Sequence, residues 1–351
     1  MECLAIGSLP YKNPQKAIET VQKYFKNIPF WPQLSKVSKN EDMTIQFLEG
    51  MPSFFLSEDE NFSFDTENEK FFHDIEIFLS DYENIINQNA PELLEKFAIT
   101  SDFSSTFNLF LDLIRENNCQ YAKGQITGPF TLATTLTDKK GRCAIYDDTL
   151  KELIVKILSL KALWQVKKIK SKGAKPIIFI DEPTISQLGT SAYITITKDD
   201  TIAMLKEIID IIKNNGGITA IHCCGKCDWS VPIKSNVEII SLDAYHYAQN
   251  LSIYHKQIEQ FLERGGKIAW GIIPTKAPTL LEKTDLQTMQ SKFDKAVNYL
   301  TKKGIDEKLI IDNSFVTPTC GAGSLSETLA EKAMKLTYEL SNSLKERYND
   351  N

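Results

Sequence analysis

The chain has 351 residues, 42% of them apolar and 25% charged, enough to bury a large α/β core. A net charge of -6 and only four arginines, Arg115, Arg142, Arg264 and Arg347, supply neither the basic patch nor the guanidinium forks of a nucleic-acid binder. No segment approaches the roughly 20 apolar residues of a membrane span, and the start MECLAIGSLPYKNP lacks a secretory pattern, so neither membrane nor secretion is expected and a cytoplasmic location is.

In chain order, eight extended apolar runs read as strands: 4–9, 29–34, 121–126, 176–181, 218–223, 238–243, 267–273 and 309–316. Helical patterns separate most of them. Ala17, Val21 and Phe25 follow PYKNP at helical spacing, a long amphipathic stretch begins at DDTLKEL, and MLKEIIDIIKNNGG and SIYHKQIEQFLERGGK each end on glycines. Near-continuous apolar strands alternating with helices indicate a parallel sheet covered by helices. Eight of them predict an α/β fold of the closed (β/α)8 TIM-barrel type, with a long insertion after the second strand.

That insertion, residues 35–120, carries an aromatic and acidic piece containing Phe54, Phe55, Phe62, Phe64, Phe71 and Phe72 and a helical piece beginning near Ser101 or Ser104. It is expected to fold over part of the barrel. Its rings either cover the mouth, offer a docking face, or pack the insertion in place. With no repeat and no distinct linker, residues 1–351 are expected to form one domain; the sequence does not speak to oligomeric state.

The stretch AIHCCGKCDWS concentrates His222, Cys223, Cys224 and Cys227 in a chain with four histidines and seven cysteines. In a reducing compartment such a cluster favours metal or catalytic work over disulfides. His222 and Cys224 stand two apart at a strand end and point the same way. Cys320, in FVTPTCGAGS, follows the last expected strand and can reach the same mouth. Imidazole and thiolate are zinc ligands, so His222, Cys224 and Cys320 form the candidate site. The alternatives are a Cys224–Cys227 redox or zinc-knuckle pair and purely structural thiols. Asp243, ending EIISLD, is a possible fourth ligand or an orienting carboxylate. Asp181 and Glu182, in PIIFIDEP, are expected to face a substrate amine or position the reacting group. Cys3, Cys119 and Cys143 stand alone and read as buried thiols.

Through AIGSLP, YAKGQITGPFTLA, FIDEP, IHCCG, ISLDAY and TPTCGAG, the chain resembles a superfamily that spans cobalamin-independent methionine synthase, the zinc-dependent methylcobalamin:coenzyme M methyltransferases and uroporphyrinogen decarboxylase. The resemblance implies a (β/α)8 barrel in which Zn2+, held by His222, Cys224 and Cys320, activates a small-molecule thiol. Asp243 falls where methionine synthase has a glutamate ligand, and Asp181 matches an acidic residue that contacts the amino group of homocysteine. The length fits one barrel, which points to the corrinoid-using methyltransferases. The donor would be methylcobalamin or a methylated corrinoid protein, with a small corrinoid-binding protein as partner. The alternatives are a methyltetrahydrofolate-dependent homocysteine methyltransferase and a non-catalytic barrel that binds a thiol or a corrinoid partner through zinc. The decarboxylase branch is disfavoured because no arginine precedes Arg115.

Overall fold

The computed structural model describes residues 1–56 and 62–349. Nine strands are present among them: β1 (Phe54–Leu56), β2 (Phe62–Phe64), β3 (Tyr121–Thr127), β4 (Thr137–Asp138), β5 (Lys175–Asp181), β6 (Ile218–Cys223), β7 (Ile239–Asp243), β8 (Lys267–Ile273) and β9 (Ser314–Pro318). Six of them form an all-parallel sheet in the order β3-β5-β6-β7-β8-β9. A small second sheet pairs β1 with β2 antiparallel and β2 with β4 parallel.

The main sheet is an open half-barrel, because its edge strands β3 and β9 do not pair with each other. The closed eight-stranded (β/α)8 TIM barrel expected from the sequence is therefore not formed. Residues 4–9 and 29–34, the first two expected strands, make only isolated bridges: Cys3 with Val316, Ser8 with Gln33, and Phe30 with Lys123. The composition of these runs gives the reason. Pro29 and Pro32 have no N–H to donate, and Gly7 interrupts the other segment, which Pro10 ends, so neither sustains a ladder. Both still lie along the gap, with Leu4 N donating to Val316 O at 2.9 Å and Trp31 N to Lys123 O at 2.9 Å.

The other runs fold near their expected bounds, with one exception. Residues 307–312 are helical (Glu307–Asp312), started by Asp306, whose carboxylate accepts from Leu309 N, and the strand begins only at Ser314. The run LII is too short for its period to decide between the two. The stretch at DDTLKEL is one helix, Asp148–Ser171, capped by Asp147. The helix Lys198–Asn214 starts on a Thr197/Asp200 capping box and ends at Asn215 and Gly216, the latter at φ 83°.

Period-two alternation sorts the sheet into two faces. Ile178, Ile180, Ile221, Ile240 and Ile268 join the large core beneath the helices. Ile177, Phe179, Ala220, Ile239 and Ala269 form a smaller cluster on the concave face, with Leu4, Ile6 and Ile28 from the gap-spanning segments. In strict register, Thr127, Asp181, His222 and Ser241 continue that concave face at the carboxyl ends of their strands. Ligand sites of open parallel sheets lie at this end.

Within the insertion, the described residues include the hairpin of β1 and β2 and the helices Phe71–Ile86 and Phe107–Glu116. The helix expected near Ser101 or Ser104 thus begins at Phe107, whose N–H donates to Ser104 Oγ at 3.1 Å. Phe64 and Phe71 are buried, whereas Phe72 is 72% exposed. Residues 57–61 and the Phe62 side chain, part of the expected aromatic piece, lie outside the description. Met43 brings the insertion to the sheet's carboxyl edge, where its carbonyl accepts from Thr127 Oγ1.

Candidate metal centre

His222 is the fifth residue of β6 and is 2% exposed. Its Nδ1 lies 3.0 Å from Ser241 Oγ, its in-register neighbour on β7. Its Nε2 is buried without any hydrogen-bond partner. A buried ring nitrogen left unpaired costs free energy unless something occupies that position. Donation from Nδ1 to Ser241 leaves the Nε2 lone pair free to coordinate.

Cys224 leaves the end of β6 in a tight bend at Gly225, where a Cβ would stand 2.7 Å from Ser186 Cβ. Cys320 comes from the opposite direction, and its loop is held on two sides. Thr275 Oγ1 accepts from Cys320 N at 3.1 Å and donates to Cys320 O at 2.9 Å, and Thr319 N donates to Ile273 O at 2.8 Å. On the far side Ala322 N donates to Ser8 O at 2.9 Å, and Gly321 packs where a Cβ would meet Ser8 Oγ at 2.1 Å. The irregular N-terminal segment therefore helps set the position of Cys320.

The ligand atoms of His222, Cys224 and Cys320 all lie within 4.8 Å of one another. Bonds of about 2.0 Å to nitrogen and 2.3 Å to sulfur fit inside that envelope, so the cluster can chelate a metal ion. Cys224 and Cys320 face each other as a coupled pair. The hydrogen bond from Cys320, with His222 and Lys276 in support, holds the Cys224 thiol well below the usual range. The same bond pushes Cys320 above it. Cys224 is buried and Cys320 only partly so, which puts the solvent side of the cluster at Cys320.

The three carboxylates are placed differently. Asp243 ends β7 and caps the helix Ala244–Leu251, accepting from His246 N at 3.0 Å. The His246 ring nitrogen Nδ1 lies 3.1 and 2.9 Å from its two oxygens, and Asp243 is not part of the three-residue cluster. Burial pushes its carboxyl up, against the opposing pull of His246 and Lys276. Glu182 is turned away into the fold. Phe130 N and Thr131 N donate to its two oxygens at 2.9 Å each, and Thr131 Oγ1 adds a 2.6 Å bond. Burial raises its pKa to about 7 despite these donors. Asp181 stands beside His222 in the register with Oδ1 buried and without a partner. Burial raises it, and the charges of His222 and Lys123 oppose the shift.

Cys227, the other member of the alternative Cys224–Cys227 pair, is buried and lies outside the three-residue cluster, and burial together with Cys223 raises its thiol. Sequence reasoning missed Ser241 and Lys276. Ser241 lies two residues before Asp243 and so on the same face, a signal available from strand periodicity. Lys276, after the β8 strand, reaches Cys224 O at 3.2 Å. Burial pulls its ammonium down, but the hydrogen bond to Cys224 and the charges of Cys224, Cys320 and Asp243 leave it above its ordinary value. Lys123 was also missed; it is a fully buried lysine on the concave face, donating to Ile6 O at 2.5 Å and Gln125 Oε1 at 3.0 Å. Among the described residues no helix is long and apolar enough to cross a membrane.

No protein-family model matches the chain, and no curated protein matches it. The superfamily named above also requires a closed barrel, whereas this sheet is open. The resemblance to the methionine synthase and uroporphyrinogen decarboxylase group therefore does not hold. The activity it implied, a zinc-dependent methyltransferase with a methylcorrinoid or folate donor, falls with it.

Proposed function

We propose that this chain is a zinc-binding protein in which His222, Cys224 and Cys320 hold the ion and one coordination position is left for a small molecule from solvent. The observation that carries this reading is the buried, unpartnered Nε2 of His222, a residue whose ligand atom lies within 4.8 Å of two cysteine sulfurs, while its Nδ1 is engaged by Ser241. Two sulfurs and an imidazole suit zinc better than a hard cation such as magnesium or calcium. Bound zinc would supply a Lewis-acid centre at the open position.

The residues around that centre have separate tasks in this reading. Ser241 fixes the histidine tautomer, Thr275 and Ser8 hold the Cys320 loop, and Lys276 offsets the negative charge of the two sulfurs. Asp181 neighbours His222 in the register, and its buried, unpartnered Oδ1 is available to a bound molecule in this reading. Asp243 is committed to His246, and Glu182 to the turn at Phe130 and Thr131; both act by shaping the mouth.

Elemental analysis of protein purified under reducing conditions is expected to find about one zinc per chain. Cys224→Ser and Cys320→Ser should each lose most of it. Full zinc retention in both variants would rule the site out.

A further inference from the structure

A cavity of about 820 Å³ opens at the amino ends of the strands, at the opposite end of the concave face from the metal centre. Its volume lies in the range that holds a small organic ligand. Ile177, Ile218, Ile239 and Phe315 line its floor, and they are the lowest layer of the concave-face cluster. In the same register Lys123 is turned to Ile6 O and Gln125 Oε1 and Lys267 reaches the rim, so the four apolar side chains leave a floor that suits a hydrocarbon.

The rim has a different character. Lys26, Lys213, Arg264 and Lys267 face Glu2 and Glu238 around it, four cations to two carboxylates, on a chain whose net charge is -6. Glu2 is already neutralised by Lys345 at 2.7 Å. Glu238 is turned to Thr219, accepting from its N at 2.9 Å and its Oγ1 at 3.2 Å. Among the described residues none of the four cations has a carboxylate within ion-pair distance. Three of them bond to neutral oxygens: Lys213 to Asn236 O at 3.1 Å, Arg264 to Ile233 O at 3.0 Å, and Lys267 to Asn313 Oδ1 at 3.1 Å. Lys267 is half-buried, and burial pulls its ammonium down. Lys213 and Lys267 are partly buried and Arg264 is exposed; without an ion-pair partner among the described residues and grouped beside an apolar floor, they complement an anion with a hydrocarbon body.

We propose that this cavity is a second ligand site, independent of the metal centre, which takes an aliphatic carboxylate with its chain on the isoleucine and phenylalanine floor and its head among Lys213, Arg264 and Lys267. The site requires both halves of the ligand. The chain gains by leaving water, and the head gains by meeting cations that have no ion-pair partner among the described residues.

The test is calorimetric titration of the full-length protein with decanoate, compared with decanol and decylammonium, alongside spectra of isoleucine-methyl-labelled protein. Decanoate should saturate a single site and shift the methyl signals of Ile177, Ile218 and Ile239. Decanol should bind about tenfold more weakly, decylammonium not at all, and the Arg264→Glu/Lys267→Glu variant should lose about tenfold in decanoate affinity. Absence of saturable binding, equal binding of decylammonium, or shifts confined to other isoleucines would each overturn the proposal. The wild-type comparisons decide the matter even if the double variant fails to fold.

Discussion

Ser241 Oγ stands 3.0 Å from His222 Nδ1, and the two residues are directly in register on adjacent parallel strands. Neighbours in register share a face, so the serine orients the imidazole from the rigid part of the sheet rather than from a loop. Removing such a partner typically costs about 10–100-fold in metal affinity. Ser241→Ala is expected to weaken zinc binding by that factor while leaving the fold intact. Competition against a chromophoric chelator measures the first and the urea midpoint the second; unchanged zinc affinity would separate Ser241 from the site.

Glu182 supports the same mouth from behind. Its carboxylate receives Phe130 N, Thr131 N and Thr131 Oγ1, and Gly128 leaves the room it needs: a Cβ there would stand 2.1 Å from the carboxyl carbon. Glu182→Ala would strand two buried N–H groups and open a void, at a cost of about 3 kcal/mol in urea unfolding. Gly128→Ala should be comparably destabilising, because the added methyl must displace a carboxylate anchored by three donors. Neither substitution would be additive with the other, since both act on one contact.

Lys161 is fully buried inside the helix Asp148–Ser171, donating to Ala98 O at 2.9 Å, with Glu49 Oε2 4.0 Å away. Burial lowers its pKa from 10.5 to about 7. Between about pH 7 and 10.5 the unfolded chain keeps the proton that the folded chain has released, so folding stability contributed by this group rises with pH across that window. It is lost progressively as pH falls from 10.5 to 7, and below about 7 both states carry the proton and the profile is flat. Lys161→Met should flatten the stability profile over pH 7–10 by about 1.4 kcal/mol per pH unit, as measured by urea titrations at several pH values. An unaltered slope would mean that the amine stays charged in the fold.

The parts of this molecule that could be read from sequence are those in which one local pattern has one physical meaning. Strands β5 to β8 are buried on both faces, so they appear as unbroken apolar runs. His222 and Cys224 share a face because they are two apart at a strand end, and Cys320 was recognisable as a cysteine just past the last strand. The closure of the sheet depended on something the apolar pattern does not record, the two missing N–H groups of segment 29–34 and the glycine within segment 4–9. Pro29 and Pro32 were visible, but the apolar pattern outweighed them. The helix Glu307–Asp312 was read as part of a strand because LII fits either period. Asp243 stood open between a fourth ligand and an orienting carboxylate, and SLDAYH also spells a helix start, with the aspartate as cap and His246 three residues on. That Cys227 lies outside the cluster could not be inferred from its spacing, since only the facing of the strand end decides which thiols turn toward His222.

That facing predicts how the seven thiols respond to an alkylating reagent. Burial pushes Cys3 up to about 12, and burial together with Cys223 raises Cys227, so both should be inert at neutral pH. Cys224 is held low by Cys320, His222 and Lys276, and only the metal-free protein leaves its sulfur available. Iodoacetamide treatment followed by peptide mass spectrometry should therefore find Cys224 modified first after chelator treatment and protected when one equivalent of zinc is restored. Cys3 and Cys227 should stay unmodified under both conditions. Because labelling reports the sulfur itself, protection of Cys224 by zinc distinguishes coordination at this cluster from zinc bound elsewhere on the chain, which would leave its alkylation rate unchanged.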